Sequence, residues 1–430
     1  MGNVELWGGV ECSCRRVGDE YSDQISRSGH RRRPTDLDLF AELGLRKLRY
    51  PVLWEHVAPE SFDQLDWSFA DERLPRLREL GIDPIVGLVH HGSGPRYTAL
   101  HQENFADGLA HFARLVAERF PWVTHYTPVN EPLTTARFSG LYGLWYPHHR
   151  DDRTFVRMLL NQVQGTKRAM QAIREINPAA QLVQTEDLGH VHSTERMRYQ
   201  ADFENQRRWL TFDLLCGRVT EQHPLWRFLL DNGIAEHELH ELVNEPCPPD
   251  VLGINYYVTS ERFLDEQFDR YPAHSFSHNH HDAYADVEAV RVQPIEPMGV
   301  QQLMAETWER YQLPVAITEV QLACTREEQM RWLQQAWQAA STLRAEGADI
   351  RAVTVWALLG AYDWNCLLTR DDGRYESGVF DVRSPAPRPT ALHQMVQALA
   401  RHGHYTHPAL AHPGWWQRPE RYHFRHLAPA

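Results

Sequence analysis

Short apolar runs alternate with longer amphipathic segments along the whole chain. Most of the short runs carry apolar residues in succession rather than in alternation, which is typical of strands that are covered on both faces. Eight runs of this kind predict eight strands: Val4–Val10, Lys47–Leu53, Pro84–Val89, Val123–Val129, Gln181–Gln184, Val251–Tyr257, Val315–Thr318 and Ala352–Leu358.

The amphipathic segments predict helices between the strands. Gly44 and Gly81 directly follow two of them and Pro121 follows a third, and these residues commonly end helices. The predicted helices are Pro34–Leu43, Ala70–Leu80, Phe105–Phe120, Thr154–Ile176, Arg207–Leu215, Leu225–Leu230, Val300–Tyr311, Arg326–Leu343 and Thr390–Leu399. Strict alternation indicates an α/β fold, a single (β/α)8 barrel whose active site lies at the C-terminal ends of the strands. A doubly wound sheet is the alternative, but no Gly-x-Gly-x-x-Gly follows the first strand.

Two segments fall outside this alternation. Thr259–Pro297 is long, polar and rich in histidine between residues 274 and 282, which predicts a solvated loop or a lid over the active site, with metal binding less favoured. Residues 403–430 are rich in aromatic side chains and have no helical period. We expect this tail to pack on a barrel formed by residues 1–402; a docking segment for a partner is the alternative.

Composition narrows the classes of function. The chain has 57 acidic and 44 basic residues, a net charge of −13, which argues against non-specific nucleic-acid binding. No apolar run approaches the length of a membrane span, and the N-terminus lacks the features of a signal peptide. Six scattered cysteines then predict reduced thiols in a cytoplasmic protein. Cys12-Ser13-Cys14 has no second pair at metal-ligand spacing, so no metal site is expected. An oligomer is left open.

Two of the predicted strands end on glutamate. The run Tyr126–Pro132 ends in Asn-Glu-Pro, and Pro132 cannot continue a strand ladder, so Asn130 and Glu131 are expected at the C-terminal end of the fourth strand. The run Pro314–Glu319 would be the seventh strand and ends on Glu319. In a closed barrel these two ends face each other across the mouth. A pair of carboxyl groups about 5 to 5.5 Å apart is what retaining glycoside hydrolysis needs.

With these motifs in this order, the chain resembles glycoside hydrolase family 1, the β-glucosidase and β-galactosidase family, as a divergent member over about residues 5 to 383. The resemblance implies a retaining β-glycosidase that removes a terminal β-linked sugar through a covalent glycosyl-enzyme. Glu131 would be the acid/base and Glu319 the nucleophile. No metal or organic cofactor is implied, and the expected partner is a small glycoside or oligosaccharide, with no nucleic acid and no membrane.

The resemblance also assigns substrate-binding or supporting roles to Arg49, His90, Asn130, Asn255, Tyr257, Trp356, Asp363 and Trp364. Arg49 and Tyr257 would contact the nucleophile, Asn130 and His90 would bind sugar hydroxyls, and the tryptophans would shape the subsite of the cleaved sugar. A cation and a hydroxyl beside Glu319 should lower its pKa and keep it ionised. Glu131, in a closed pocket near a second carboxylate, should have a raised pKa.

The departures from the family pattern concern the residues that read the far edge of the sugar. Asp363 stands where the family has glutamate, and His91 stands where it has tryptophan. The first-strand glutamine is absent from the stretch that contains Glu11 and Arg15. Glu11, Arg15 and His91 are therefore candidates for new contacts. Arg15 would suit an acidic sugar, with a solvated turn as the alternative.

Two other functions share these motifs. A transglycosylase would use the same covalent intermediate with a sugar acceptor instead of water. A non-catalytic carbohydrate-binding barrel would fit the altered sugar-reading residues, although pure binding needs neither a nucleophile nor the groups that hold it.

Overall fold

The computed structural model describes residues 3–425. Eight parallel strands form a closed barrel: β1 Glu5–Gly9, β2 Lys47–Pro51, β3 Asp83–His90, β4 His125–Asn130, β5 Gln181–Asp187, β6 Val251–Asn255, β7 Val315–Val320 and β8 Ile350–Val355. Each strand pairs with the next, and β1 pairs with both β2 and β8. The predicted (β/α)8 barrel is confirmed.

All eight predicted strands are present, and their ends differ in informative places. β5 was expected to end at Gln184 but continues to Asp187, because its pairing with β6 runs through Glu186 and Asp187. The polar side chains at this end resemble a loop in the sequence. Six strands contribute one buried apolar residue each to a cluster inside the barrel: Trp7, Ile85, Val183, Val251, Ala316 and Ala352.

The helices cover the outside of the barrel. The longer ones are Ser68–Glu79, Asn104–Arg119, Asp152–Ile176, Arg198–Arg207, Glu236–Asn244, Gly299–Tyr311, Arg326–Ala345 and Ala391–His402. The shorter ones are Gln24–Arg27, Asp36–Glu42, Trp54–Val57, Pro132–Ala136, Leu210–Leu215 and Trp226–Asp231. The prediction of one helix over 207–215 was wrong at its start, because the chain forms separate helices before and after residue 208.

Residues 259–297 do not form the expected loop. Short strands at Arg262–Asp265, Phe276–His278 and Ala283–Glu288 join Val191–Ser193 in a four-stranded sheet. This sheet has its own apolar cluster, which includes Phe263, Ala285 and Val287. Strands of three to six residues are too short to show a clear pattern in the sequence. A cluster with metal-ligand spacing, Glu221, Glu236 and His240, is largely exposed and lies outside this sheet.

The C-terminal segment, as far as it is described, lies along the helix Arg326–Ala345. Trp416 is buried there, with its ring 5.1 Å from that of Trp332 and its indole nitrogen donating to Gln335 over 2.7 Å. Residues 424–425 pair with Val292–Gln293. The division at residue 402 stays a prediction, and residues 426–430 of the tail lie outside the described part of the chain.

All six cysteines are free thiols. Within residues 3–425, no helix combines the length and the apolar character needed to cross a bilayer. The cytoplasmic location and the oligomeric state stay predictions.

Candidate active site

The predicted site residues come together at the C-terminal ends of the barrel strands. His90 and Asn130 end β3 and β4 and lie opposite each other in the strand pairing. Asn255 ends β6 and lies opposite Glu319 of β7. Arg49 lies within β2, and all five side chains are buried. Five barrel strands thus each place one side chain in the site.

Glu319 is held at both carboxylate oxygens. Arg49 Nη1 donates to Oε1 over 2.8 Å, and the Tyr257 hydroxyl donates to Oε2 over 2.6 Å. The same Nη1 atom donates to the carbonyl oxygen of Thr318 over 2.8 Å. Both donors favour the ionised carboxylate, and together they fix its orientation.

Glu131 has a different environment. Its Oε1 atom accepts from Asn255 Nδ2 over 2.5 Å, and its Oε2 atom lies 3.7 Å from His91 Nε2. Thr318 Oγ1 donates to Asn255 Oδ1 over 2.7 Å, which fixes the orientation of the amide. The neighbouring Asn130 accepts at Oδ1 from Arg49 Nη2 over 2.6 Å. One arginine therefore bonds the β7 carboxylate and the end of β4 at once.

Burial dominates the protonation of both glutamates. It raises the pKa of Glu131 well above its usual value, and the charge of Glu319 raises it further. Burial also raises the pKa of Glu319 to about 7, against the lowering effect of Arg49 and Tyr257. The expected raised pKa of Glu131 is matched, and the expected lowered pKa of Glu319 is wrong, because burial outweighs its two donors. Glu131 has no comparable cation bonded to it, so it holds its proton more tightly than Glu319.

Two histidines line the site in the neutral form. Burial lowers the pKa of His90 well below its usual value and that of His91 to about 3. Asn130 Nδ2 lies 3.2 Å from His90 Nε2 and 3.3 Å from His91 Nε2. Because Asn130 Oδ1 faces Arg49, its Nδ2 is the donor, so both Nε2 atoms accept. His90 Nδ1 then carries the proton toward Cys12 Sγ, 3.3 Å away.

The two tryptophans are tied to Glu11. The indole nitrogens of Trp356 and Trp364 donate to Glu11 Oε2 over 3.3 and 3.1 Å. Ser13 donates to Glu11 Oε1 through its backbone N–H, over 2.8 Å, and its hydroxyl, over 2.6 Å. The Trp356 ring stacks on His90 at a centroid distance of 5.6 Å. Glu11 thus enters the site as an acceptor for both indoles.

Asp363 is turned toward its own loop. Its Oδ2 atom accepts from Arg27 over 2.6 Å, and its oxygens also accept from the backbone N–H groups of Gly373 and Arg374. These bonds do not match the substrate-binding role that the resemblance assigned to Asp363. Arg15 lies in the strand Cys14–Val17 and is buried, so the alternative of a solvated turn is wrong.

Three site positions have backbone angles that side chains other than glycine rarely adopt. His91, Glu131 and Asp363 have φ values of 56°, 48° and 59°. Left-handed backbone at such residues costs free energy and is retained where the surroundings enforce it. For Glu131, this geometry turns the side chain at the point where β4 gives way to the helix Pro132–Ala136.

The sequence interpretation missed Glu186, which supports the helix after Glu131. Its carboxylate accepts from the N–H groups of Leu133, over 2.8 Å, and Thr134, over 3.2 Å, and from the Thr211 hydroxyl over 2.6 Å. Glu186 lies near the end of β5, but Gln184 and Thr185 precede it, so the sequence does not mark it as the end of an apolar run. Trp145 was also missed; its ring lies 5.2 Å from that of His91, and nothing local in the sequence marks it.

The two carboxyl groups are deeply buried. Glu131 is 5% exposed and Glu319 is 3% exposed. A small cavity lined in part by Arg49, His90 and Asn130 measures about 10 Å³, room for about one water molecule.

Comparisons with known proteins identify the family. Residues 10–371 match the family described as Glycosyl hydrolase family 1. The chain is 24% identical to a 6-phospho-beta-glucosidase of Dickeya chrysanthemi, covering 72% of this chain and 69% of that one. It is also 24% identical to Beta-glucosidase A of Thermotoga maritima, covering 84% of each.

A solved structure has the same fold. The beta-glucosidase from Thermotoga maritima in complex with deoxynojirimycin superimposes with a TM-score of 0.72 at 17% identity, covering 94% of this chain and 98% of that one. The family match begins just after β1 and includes the other seven barrel strands, β2 to β8. The chain belongs to glycosyl hydrolase family 1 and is a glycoside hydrolase.

Proposed function

We propose that this protein is a retaining β-glycosidase in which Glu319 is the nucleophile and Glu131 the acid/base. The observation that carries the proposal is the contrast between the two carboxyl groups. Glu319 receives a guanidinium and a phenol, one on each oxygen, whereas Glu131 receives one neutral amide at 2.5 Å. Groups held in this way favour the anion at Glu319 and the acid at Glu131.

The proposed reaction has two displacements. The Glu319 carboxylate attacks the anomeric carbon while the bond to the leaving oxygen breaks and Glu131 gives that oxygen its proton. Water then attacks the anomeric carbon of the glycosyl-enzyme, Glu131 takes its proton, and the bond to Glu319 breaks. Two inversions release a sugar with its original anomeric configuration.

Arg49 is proposed to position both halves of the site. It bonds Glu319 through Nη1 and Asn130 through Nη2, so the nucleophile and the residue before the acid/base are fixed to one planar group. The bonds hold the attacking oxygen in place without solvent reorganisation. In this arrangement Trp356, Trp364, His90 and His91 would form the walls against which the sugar lies, and the indole faces suit the C–H surface of a sugar ring.

The relatives guide the choice of substrate. The two named above are a β-glucosidase and a 6-phospho-β-glucosidase, so a β-linked hexoside is the first class to test. We expect activity on an aryl β-glycoside from a set that includes glucosides, galactosides, fucosides, mannosides, glucuronides and 6-phosphoglucosides. Product analysis with and without a sugar acceptor separates hydrolysis from transglycosylation.

The test replaces each glutamate separately. Glu319→Gly and Glu131→Ala should each lower turnover by roughly a thousandfold or more, because each removes a group that acts in the transition state. Glu309→Ala, a change at an exposed helical glutamate, is the control and should keep wild-type turnover. A mechanism-based fluorosugar should label Glu319 in the wild type. Near wild-type turnover in either glutamate variant would refute the assignment, and absence of labelling and turnover would favour a binding protein.

A further inference from the structure

Arg15 is a buried cation without a partner. Its side chain is 5% exposed, and among residues 3–425 it has neither a hydrogen-bond acceptor nor an ion-pair partner within contact distance. The Nε atom is fully buried and unbonded. The adjacent Arg16 differs, because it bonds Asp19 over 2.7 Å and stacks on Tyr146 at 3.7 Å. Burying a guanidinium without an acceptor costs free energy, so we expect Arg15 to have an acceptor when a ligand is bound.

Arg15 lies beside the wall of the active site. Successive side chains of a strand point to opposite faces, so Arg15 points away from Cys14 and Arg16. Burial lowers the pKa of Arg15, and the nearby charges that act on it include Asp371 and Asp363. Both belong to the segment that carries Trp364, whose indole bonds Glu11 in the site.

The carboxylates near Arg15 are already engaged. Asp363 accepts from Arg27 and from two backbone N–H groups. Asp371 accepts from Arg27 over 2.5 Å, and its side chain is 71% exposed, so solvent screens its effect on Arg15. Arg27 therefore binds both carboxylates, and the Arg15 guanidinium has no carboxylate bonded to it.

We propose that Arg15 binds an anionic substituent, a carboxylate or a phosphate, on the sugar that is cleaved, and thereby makes the enzyme selective for acidic β-glycosides. This inference rests on the proposed glycosidase function. A guanidinium offers two parallel N–H donors that match either anion, and the bond is strongest where water is excluded. Arg15 differs from the exposed cations of this edge in being buried, so an anion bound to it is shielded from water.

Binding measurements test the proposal without turnover. Titration calorimetry of the full-length protein compares glucuronate, glucose 6-phosphate and glucose, in the wild type, Arg15→Gln and Arg16→Gln. We expect at least one anionic sugar to bind about tenfold or more tighter than glucose, Arg15→Gln to abolish the difference, and Arg16→Gln to keep it. The anion that binds tighter identifies the substituent. Equal binding of all three sugars by the wild type, or an unchanged preference in Arg15→Gln, would overturn the proposal.

Turnover separates this inference from the proposed function. For aryl β-glycosides, Arg15→Gln should lower kcat/KM on the anionic substrate by about tenfold or more while affecting the neutral glucoside less. If the enzyme prefers the neutral glucoside and Arg15→Gln does not change its cleavage, the anion site is refuted while the glycosidase assignment stands. If Arg15→Gln loses anion binding but neither the wild type nor the variant cleaves any glycoside, the anion site stands and the glycosidase assignment is refuted.

Discussion

The hydroxyl of Tyr257 donates to Oε2 of Glu319 over 2.6 Å, just beyond the end of β6. Two residues earlier, Asn255 donates to Oε1 of Glu131 over 2.5 Å. One strand end thus supplies one donor to each of the two carboxyl groups. Because a phenol lowers the pKa of the carboxylate it bonds, and burial raises it, the balance at Glu319 can be shifted in either direction by single substitutions.

Tyr257→Phe should move the acidic limb of the pH profile upward. The hydrogen bond from Tyr257 lowers the pKa of Glu319, which burial holds at about 7, so its loss raises that pKa and delays ionisation to higher pH. A charge-assisted bond worth about 1.5 to 3 kcal/mol also predicts a fall of roughly 10- to 100-fold in kcat/KM at neutral pH. The measurement is kcat/KM between pH 4 and 10.

Tyr256→Phe is the matched control for that profile. Tyr256 is buried one residue away, but its hydroxyl bonds Glu261 rather than Glu319. The acidic limb of the Tyr256→Phe pH profile should coincide with that of the wild type. An upward shift of the same size in both variants, or none in Tyr257→Phe, would show that Tyr257 does not set the ionisation of Glu319.

Glu11→Gln should shift the same limb in the opposite direction. The charge of Glu11 raises the pKa of Glu319, so a neutral amide lowers it and allows ionisation at lower pH. Glutamine keeps an oxygen that accepts from the indoles of Trp356 and Trp364, which limits the structural change. Glu20→Gln, at an exposed carboxylate, is the control. If the acidic limb of the pH profile does not move in Glu11→Gln, the charge of Glu11 does not affect the pKa of Glu319.

The sequence was sufficient to locate Glu131 and Glu319, because an apolar run that ends on an acidic residue is a local pattern. Glu186 also lies near a strand end, but polar residues precede it in the sequence, and its oxygens face the backbone of the next helix. The direction of the pKa shift at Glu319 was wrong for a related reason. A sequence shows which charges are present, whereas burial, the largest influence here, depends on the closed barrel.

The far edge of the site could not be predicted. Asp363 replaces a family glutamate and was expected to face the sugar, but a left-handed backbone and the bond to Arg27 turn it into its loop. Arg15 was found as a candidate, yet nothing in the sequence shows that Arg27 takes the nearby carboxylates. Contacts between residues far apart in the chain decide both outcomes.

Stability should fall as pH rises through the neutral range, and Glu55 should account for part of this. Burial raises the pKa of Glu55 to about 7, and its Oε2 atom is buried without a partner. Its folded pKa lies above the unfolded value of about 4.5, so the folded state binds more protons between these values. The contribution of Glu55 is therefore fully present below pH 4.5 and is lost as pH rises through 7.

Glu55→Gln removes this dependence, because the amide does not titrate. The free energy of unfolding of the variant minus that of the wild type should be more favourable to the variant at pH 8 than at pH 5. Urea unfolding at both pH values measures it. Glu60→Gln, an exposed neighbour, should show the same difference from wild type at both pH values. If the free energy of unfolding of Glu55→Gln differs from that of the wild type by the same amount at both pH values, Glu55 does not have the raised pKa.

The C-terminal tail should stabilise the barrel through Trp416. This indole is 5% exposed, packs edge-on against Trp332 at 5.1 Å and donates to Gln335 over 2.7 Å. Trp416→Ala should lower the free energy of unfolding by about 3 to 5 kcal/mol, as expected when a buried aromatic ring is removed. Trp415→Ala is the control; that ring is only partly buried and lies over Arg291 at 3.9 Å, so its loss should cost less. Urea unfolding measures both, and kcat/KM at a temperature where each variant is folded should stay near wild type, because neither side chain contacts the described site. Equal costs in the two variants would show that the tail does not depend on this anchor.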